Sequence, residues 1–160
     1  MGRLFSMGIS HKNLKMKIAL VIYGNINTLS GGYLYDRMLV DYLKSQGDDV
    51  QVISIPNKSY YSNIADNWST DLIKIMHDAD IDLMLQDELN HPSLFYANKK
   101  LRGNYPIISI VHHLRSNEAR GRIKNWIYQK IEKSYLESVD GYIFNSNTTK
   151  GSVKRLTSFN

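Results

Sequence analysis

Residues 17–46 read KIALVIYGNINTLSGGYLYDRMLVDYLKSQ, and this stretch decides the fold class. It opens on an uninterrupted apolar run, Ile18 to Tyr23. A run without apolar–polar alternation suits a parallel strand covered on both faces. A polar loop with Ser30-Gly31-Gly32 follows, then Leu34, Met38, Leu39, Tyr42 and Leu43 at helical spacing. Gly47 is placed to cap the carboxyl end of that helix. Strand, glycine loop and helix form the first unit of a doubly wound α/β fold, where ligands gather at the carboxyl ends of the strands. A glycine pair there lets backbone amides approach a phosphate beside the positive end of the helix dipole.

The same alternation continues along the chain. Val50–Ile55 reads as strand two, stopped by Pro56, and the polar residues 57–67 read as a loop. Ser69 or Thr70 caps a short helix to His77, with Leu72, Ile73 and Met76 facing inward. Asp82–Gln86 reads as strand three. Pro92 begins a helix to about Lys100, and Ile107–Val111 is strand four. A long helix, Glu118–Ser138, carries the apolar stripe Ile123, Trp126, Ile127, Ile131, Tyr135 and Val139, which predicts Trp126 in the core. Gly141–Asn145 is strand five, and Thr148 or Thr149 opens a last helix. The order implies a Rossmann-like parallel sheet with right-handed crossovers and helices on both faces.

The 160 residues favour a single domain, 16–160, preceded by an extension, 1–15, read as disordered in part. The chain has no cysteine, which excludes disulfides, zinc–thiolate sites and thiol catalysis. No apolar run approaches the roughly 20 residues that span a bilayer, and Ile18–Tyr23 is too short for a signal peptide, so a cytoplasmic location is expected. A net charge of +5 and a pI of about 9.3 favour anionic partners. Nucleic acid is not expected among them, because no recognised binding module is present.

Four strand ends carry polar residues: Gly24–Gly32, Asp87–His91, His112-His113 and Ser146. A parallel sheet brings them to one edge. The glycine loop is neither a G-x-G-x-x-G fingerprint nor a P-loop. One ring of the His112-His113 doublet can face the cleft and donate to a sugar hydroxyl or phosphate. Asp87, Glu88 and His91 match no zinc spacing, and Ser146 lies in no G-x-S-x-G elbow. A basic face from Lys99, Lys100, Arg102, Arg120, Arg122, Lys124, Lys130 and Lys133 offers an anionic membrane a docking surface, diluted by Glu118, Glu132 and Glu137.

The pieces MKIALVIY, SGG before a helix, LKSQGDDVQVISIP, DLMLQDE, PIISIVHHL and ESVDGYIFNSNTTKGSV, in this order, resemble the N-terminal domain of GT-B fold glycosyltransferases, specifically glycosyltransferase family 4 (group 1). The resemblance runs from Met16 to the end of the sequence and departs at Gly47-Asp48-Asp49, where the family has a histidine after the glycine. It implies one half of a GT-B fold that binds the acceptor side of a retaining transfer from a nucleotide-sugar donor to the hydroxyl of a sugar or lipid-linked acceptor. His112 would lie near the transferred sugar, Gly31 and Gly32 near the donor diphosphate, and Asp87, Glu88, His91, His113 and Ser146 along the cleft. No cofactor or metal is implied. The family's C-terminal donor-binding domain, with its E-x7-E motif, is not in this sequence, so the chain alone is expected to be inactive. Peripheral contact with the inner face of the membrane fits the same reading. Two other readings stand beside it: a non-catalytic α/β module that binds an anionic ligand or membrane surface, and a flavodoxin-type nucleotide-binding domain.

Overall fold

The computed structural model describes residues 15–118 and 121–157. The extension lies, except for Lys15, outside the described residues, as does Arg120 of the basic face.

The five strands are β1 (Lys17–Tyr23), β2 (Asp49–Ile55), β3 (Leu83–Asp87), β4 (Ile107–Val111) and β5 (Gly141–Phe144). All neighbours are parallel, in the order β2-β1-β3-β4-β5. The helices are α1 (Gly31–Ser45), α2 (Tyr60–Ile64), α3 (Thr70–His77), α4 (His91–Leu94), α5 (Ala97–Leu101), α6 (Arg122–Leu136) and α7 (Asn147–Leu156). The architecture is the Rossmann-like α/β sheet that the sequence implies.

Alternate residues of β1 feed two cores. Ile18, Leu20 and Ile22 pack with Val40 of α1 on one face. Val21 and Tyr23 meet Met76, Leu94, Leu101, Tyr135 and Leu136 of the other helices on the opposite face. Burial on both sides explains why β1 reads as a continuous apolar run. The chain leaves β1 for β2 on one side, and β3 pairs on its other side. The crevice where ligands collect in such sheets therefore opens at the carboxyl ends of β1 and β3.

Ser30 and Ser69 cap α1 and α3 by accepting from the amides of Tyr33 and Leu72. Gly47, just past α1, has φ +95, which glycine adopts without steric cost. Other expectations are corrected. Residues 57–67 are not a plain loop. Ser59 caps α2, and a 3-10 turn, Ala65–Trp68, follows. Asn67 is fully buried there; its amide donates to Ile64 O and Pro92 O, and its Oδ1 accepts from the amides of Tyr96 and Ala97. That pull on residues 96 and 97 accompanies the division of the expected helix 92–100 into α4 and α5.

Asp82 stands just before β3, exchanging backbone hydrogen bonds with Lys17 through its side chain and amide. β5 ends at Phe144, and Ser146, not Thr148 or Thr149, caps α7. Two helices are rotated about their axes from the expected setting. On α1, Asp36 and Val40 are buried while Leu34, Met38 and Tyr42 face solvent. On α6, which starts at Arg122, the buried residues are Tyr128, Glu132, Tyr135 and Leu136. Ile123 and Trp126 are 78% and 60% exposed, so Trp126 is not a core residue. No helix among the described residues is long and apolar enough to cross a membrane.

Candidate functional site

The loop between β1 and α1 is held from both sides. Gly24 turns at φ +58 and its amide donates to Ile55 O. Arg37, one turn into α1, donates to the carbonyls of Ile26 and Thr28. Tyr33 donates its hydroxyl to Tyr23 O, tying the helix start to the end of β1. Within α1, Tyr33 N is satisfied by Ser30 Oγ and Leu34 N by Ser30 O. The Gly31 and Gly32 amides precede the first intrahelical acceptor and point out of the helix end.

Gly32 faces His112, which follows the last residue of β4. A methyl on Gly32 would lie 3.6 Å from His112 Cδ2, whereas one on Gly31 would meet open space. One turn on from Gly32 along α1 is Asp36, with no exposed surface. Its Oδ1 lies 3.4 Å from His112 Nε2. Tyr35 completes the wall, its ring edge-on to the imidazole at 5.1 Å. Asp87, at the end of β3, is the third member: its carboxylate, that of Asp36 and the His112 ring present atoms within 4.8 Å of one another. Asp87 Oδ1 also accepts from Leu89 N and so caps the following 3-10 turn, Glu88–Asn90.

The electrostatics follow from this crowding. Burial, with the charge of Asp36 added, pushes the Asp87 carboxyl up to about 7. Burial alone would lower the His112 pKa, but the Asp36 hydrogen bond and the two carboxylate charges outweigh it and the net shift is upward. Asp36 Oδ2 has no hydrogen-bond partner among the described residues, and a proton on Asp87 offers it one. The site is a histidine poised to carry positive charge, backed by the buried Asp36 and by Asp87, whose carboxyl can hold a proton near neutrality.

A second polar cluster lies beneath: Glu88, His91 and Glu132, each 1% exposed. His91 Nδ1 donates to Glu88 O at 2.9 Å, so neutral His91 accepts at Nε2 from the Tyr60 hydroxyl, 3.1 Å away. Burial holds His91 neutral, lowering its pKa to about 4. Burial also raises Glu88 and Glu132. Glu132 accepts from Ser116 N, and Glu88 Oε2 from His113 N.

The structure thus brings together His112, Gly32 and Asp87 of the residues singled out in the sequence. Glu88 and His91 are interior, and the set Asp87, Glu88 and His91 divides between the two clusters. The His113 side chain is exposed. Ser146 caps α7 and bonds Thr149 Oγ1, which in turn donates to His112 O, so it braces the His112 backbone. Asp36 was not foreseen, although its i+4 spacing from Gly32 puts both on one helix face. As metal donors, the Asp36–Asp87–His112 set suits a divalent ion in number and type. In the lower set both ring nitrogens of His91 are already engaged.

Beside the upper site a cleft of about 510 Å³ runs from Ser30 and Tyr33 to Lys58, Tyr60 and Arg115. Its size is ordinary for a small-molecule site. Arg115, three residues past His112, is a further residue the sequence reading passed over. A depression of about 310 Å³ at the opposite, amino-terminal edge is lined by Lys17, Asp49, Asp78 and Asp80. It lies away from the strand ends where this fold places ligands.

A comparison with protein-family models finds no match, and a comparison with curated proteins finds none either.

Proposed function

We propose that the chain is the acceptor-side half of a retaining sugar transferase that moves a sugar from a nucleotide-sugar donor to an acceptor hydroxyl. The observation that carries this reading is the placement of His112 facing Gly32 at the switch-point crevice, with Asp36 behind the ring. A histidine there can donate to a hydroxyl of the reacting sugar and stabilise charge that develops on it. The Gly31 and Gly32 amides and the dipole of α1 supply positive potential to a leaving diphosphate, so the reading needs no metal ion. A donor-holding domain or partner chain supplies the facing wall, and without it the chain is inactive. The resemblance to family 4 glycosyltransferases supports this assignment, as do the strand order and the cleft beside the glycine loop.

The test is transfer of radiolabelled sugar from a panel of nucleotide-sugars. The chain is fused to the donor-binding domain of a family 4 transferase and offered soluble and lipid-linked acceptors. Transfer above that of the donor domain alone supports the reading; none with any donor counts against it.

One observation favours peripheral membrane contact as a second reading. Ile123 and Trp126 project from α6 with Arg122, Lys124 and Lys130 exposed around them, and Lys130 Nζ lies 5.9 Å from the Trp126 ring. Aromatic and aliphatic side chains within a basic face suit the interface of an anionic bilayer.

A further inference from the structure

We propose that the cleft between the glycine loop and Arg115 binds a phosphorylated polyol, with its phosphoryl group against the Arg115 guanidinium. This rests on the acceptor-side reading and names the class of acceptor.

Arg115 is the cation of the cleft that the protein leaves unneutralised. Lys58, on the same cleft, is paired with the buried Asp66 at 2.6 Å. Arg115 has no ion pair among the described residues, and its Nε is buried without an acceptor. The nearby Glu132 turns both carboxylate oxygens onto Ser116 N instead. A buried donor without a partner is costly, and an oxyanion at the guanidinium edge removes that cost.

The arginine is also held in place. Its guanidinium carbon lies 5.1 Å from the Tyr60 ring centre and 5.3 Å from that of Tyr128. The two rings are 4.5 Å apart and steeply inclined. Tyr60 is fixed in turn by its hydroxyl bond to His91. Such packing sets the plane of a guanidinium, whose N–H edge matches two oxygens of a phosphoryl group. The Lys58 ammonium is paired with Asp66 on one side but keeps further N–H donors for a phosphoryl oxygen on the cleft wall. Asn57 and Ser30 offer polar contacts for hydroxyls, and Leu89 and Pro92 give an apolar surface for the ring.

The experiment is calorimetric titration of the full chain with glucose 6-phosphate, glucose, inorganic phosphate, and phosphatidylcholine vesicles with and without phosphatidylglycerol. Glucose 6-phosphate should bind at least about tenfold tighter than glucose, as expected of a charge-assisted contact. Arg115→Gln should lose that advantage, Lys58→Met should lose part of it, and Lys17→Gln, at the opposite edge of the sheet, should keep it. Arg115-dependent binding of phosphatidylglycerol vesicles without glucose 6-phosphate binding assigns the phosphoryl group to a lipid-borne acceptor and supports the site. Binding of glucose and glucose 6-phosphate with equal measurable affinity overturns it, as does no binding of any anion, soluble or vesicle-borne. Wild-type affinity in both Arg115→Gln and Lys58→Met overturns it too. Should Arg115→Gln unfold, Arg115→Lys, which keeps the cation and loses the planar fork, carries the test and should weaken glucose 6-phosphate binding. Arg115-dependent binding without any sugar transfer removes the transferase reading alone. Transfer whose acceptor KM is indifferent to Arg115→Gln removes this site alone.

Discussion

His112 Nε2 lies 3.4 Å from Oδ1 of Asp36, a carboxyl with no exposed surface on the helix that begins at the glycine loop. The pair joins the carboxyl end of β4 to α1, and Asp87 joins both to β3. Three chain segments far apart in sequence thus fix one imidazole at the mouth of the crevice. In a completed enzyme, His112→Ala should reduce transfer by roughly 10²–10⁴-fold, the usual range for a positioned proton-transferring group. Acceptor affinity should stay close to wild type, and the melting temperature should fall modestly because the buried Asp36 loses its hydrogen-bond partner. Initial-rate kinetics beside thermal melts check this, and unchanged turnover removes His112 from the chemistry.

Asp87 gives the site a pH signature. Its pKa rises from 3.8 to about 7 on folding, so the folded chain holds more protons than the unfolded one in that window. Stability from this group is complete below about pH 4 and is lost as pH rises through 7. His112, also raised, acts in the same sense: its stabilisation is complete below the unfolded value of 6.5 and is lost above its folded pKa. His91, lowered to about 4, acts in the opposite sense between about 4 and 6.5, but it is common to wild type and variant. Asp87→Asn should therefore melt above wild type at pH 8, by roughly 3 °C or more for a chain of this size. The gap should narrow at pH 5; equal gaps at the two pH values would contradict the assignment.

The two glycines of the loop should not behave alike. Gly32 faces His112 and Gly31 faces open space. The branched side chain of Gly32→Val must displace the imidazole, so this variant should lose more transfer and shift the His112 ring resonances. Gly31→Val leaves His112 untouched and acts through the approach of the donor diphosphate, seen as a raised donor KM. Identical losses in both variants would show that the placement of Gly32 against His112 is unimportant.

Much of the fold was legible because burial on both faces writes strands as apolar runs, unbroken in β1 and interrupted only by Ser109 in β4. Ser69 was readable as a cap because a short hydroxyl side chain satisfies helix-end amides, whereas Ser30, read only as part of the glycine loop, caps α1 in the same way. What escaped notice was polar and buried. Asn67 and Asp66 look like loop residues in sequence, yet hydrogen bonds to distant backbone and to Ser93 hold them inside. Asp36 and Glu132 occupy helix positions where apolar residues were expected, which turns Met38 and Trp126 outward. His112 and Gly32 could be found from strand ends alone, whereas Asp36 and Arg115 needed the rotation of α1 and the packing of Tyr60.

A buried amide network supplies a test of the scaffold. Asn98 exchanges hydrogen bonds with Gln86 of β3 at 2.8 and 3.0 Å and donates to Ser138 just past α6. Asn98→Ala leaves the fully buried Gln86 amide with only the weak Met84 sulfur acceptor and should cost about 1–3 kcal/mol in urea unfolding. Replacing both Gln86 and Asn98 by leucine should cost less than the sum of the single leucine changes. Strict additivity would mean the two amides are not coupled.

Trp126 tests the membrane reading separately. Wild type should co-sediment with vesicles containing phosphatidylglycerol, more strongly at low salt. Trp126→Ala should weaken that binding several-fold without lowering the melting temperature, since the ring is mostly exposed. Binding that is equal with neutral vesicles, or indifferent to the substitution, contradicts it.

In the proposed transferase the crevice at His112 meets a nucleotide-sugar. Titration of the isotopically labelled chain with nucleotide-sugars, followed through its backbone amide resonances, tests it most directly. Weak binding is expected, with shifts centred on Gly31, Gly32 and His112 and none at Lys17 and Asp80 on the opposite edge of the sheet. No response to any nucleotide-sugar, or one confined to that opposite edge, would contradict it.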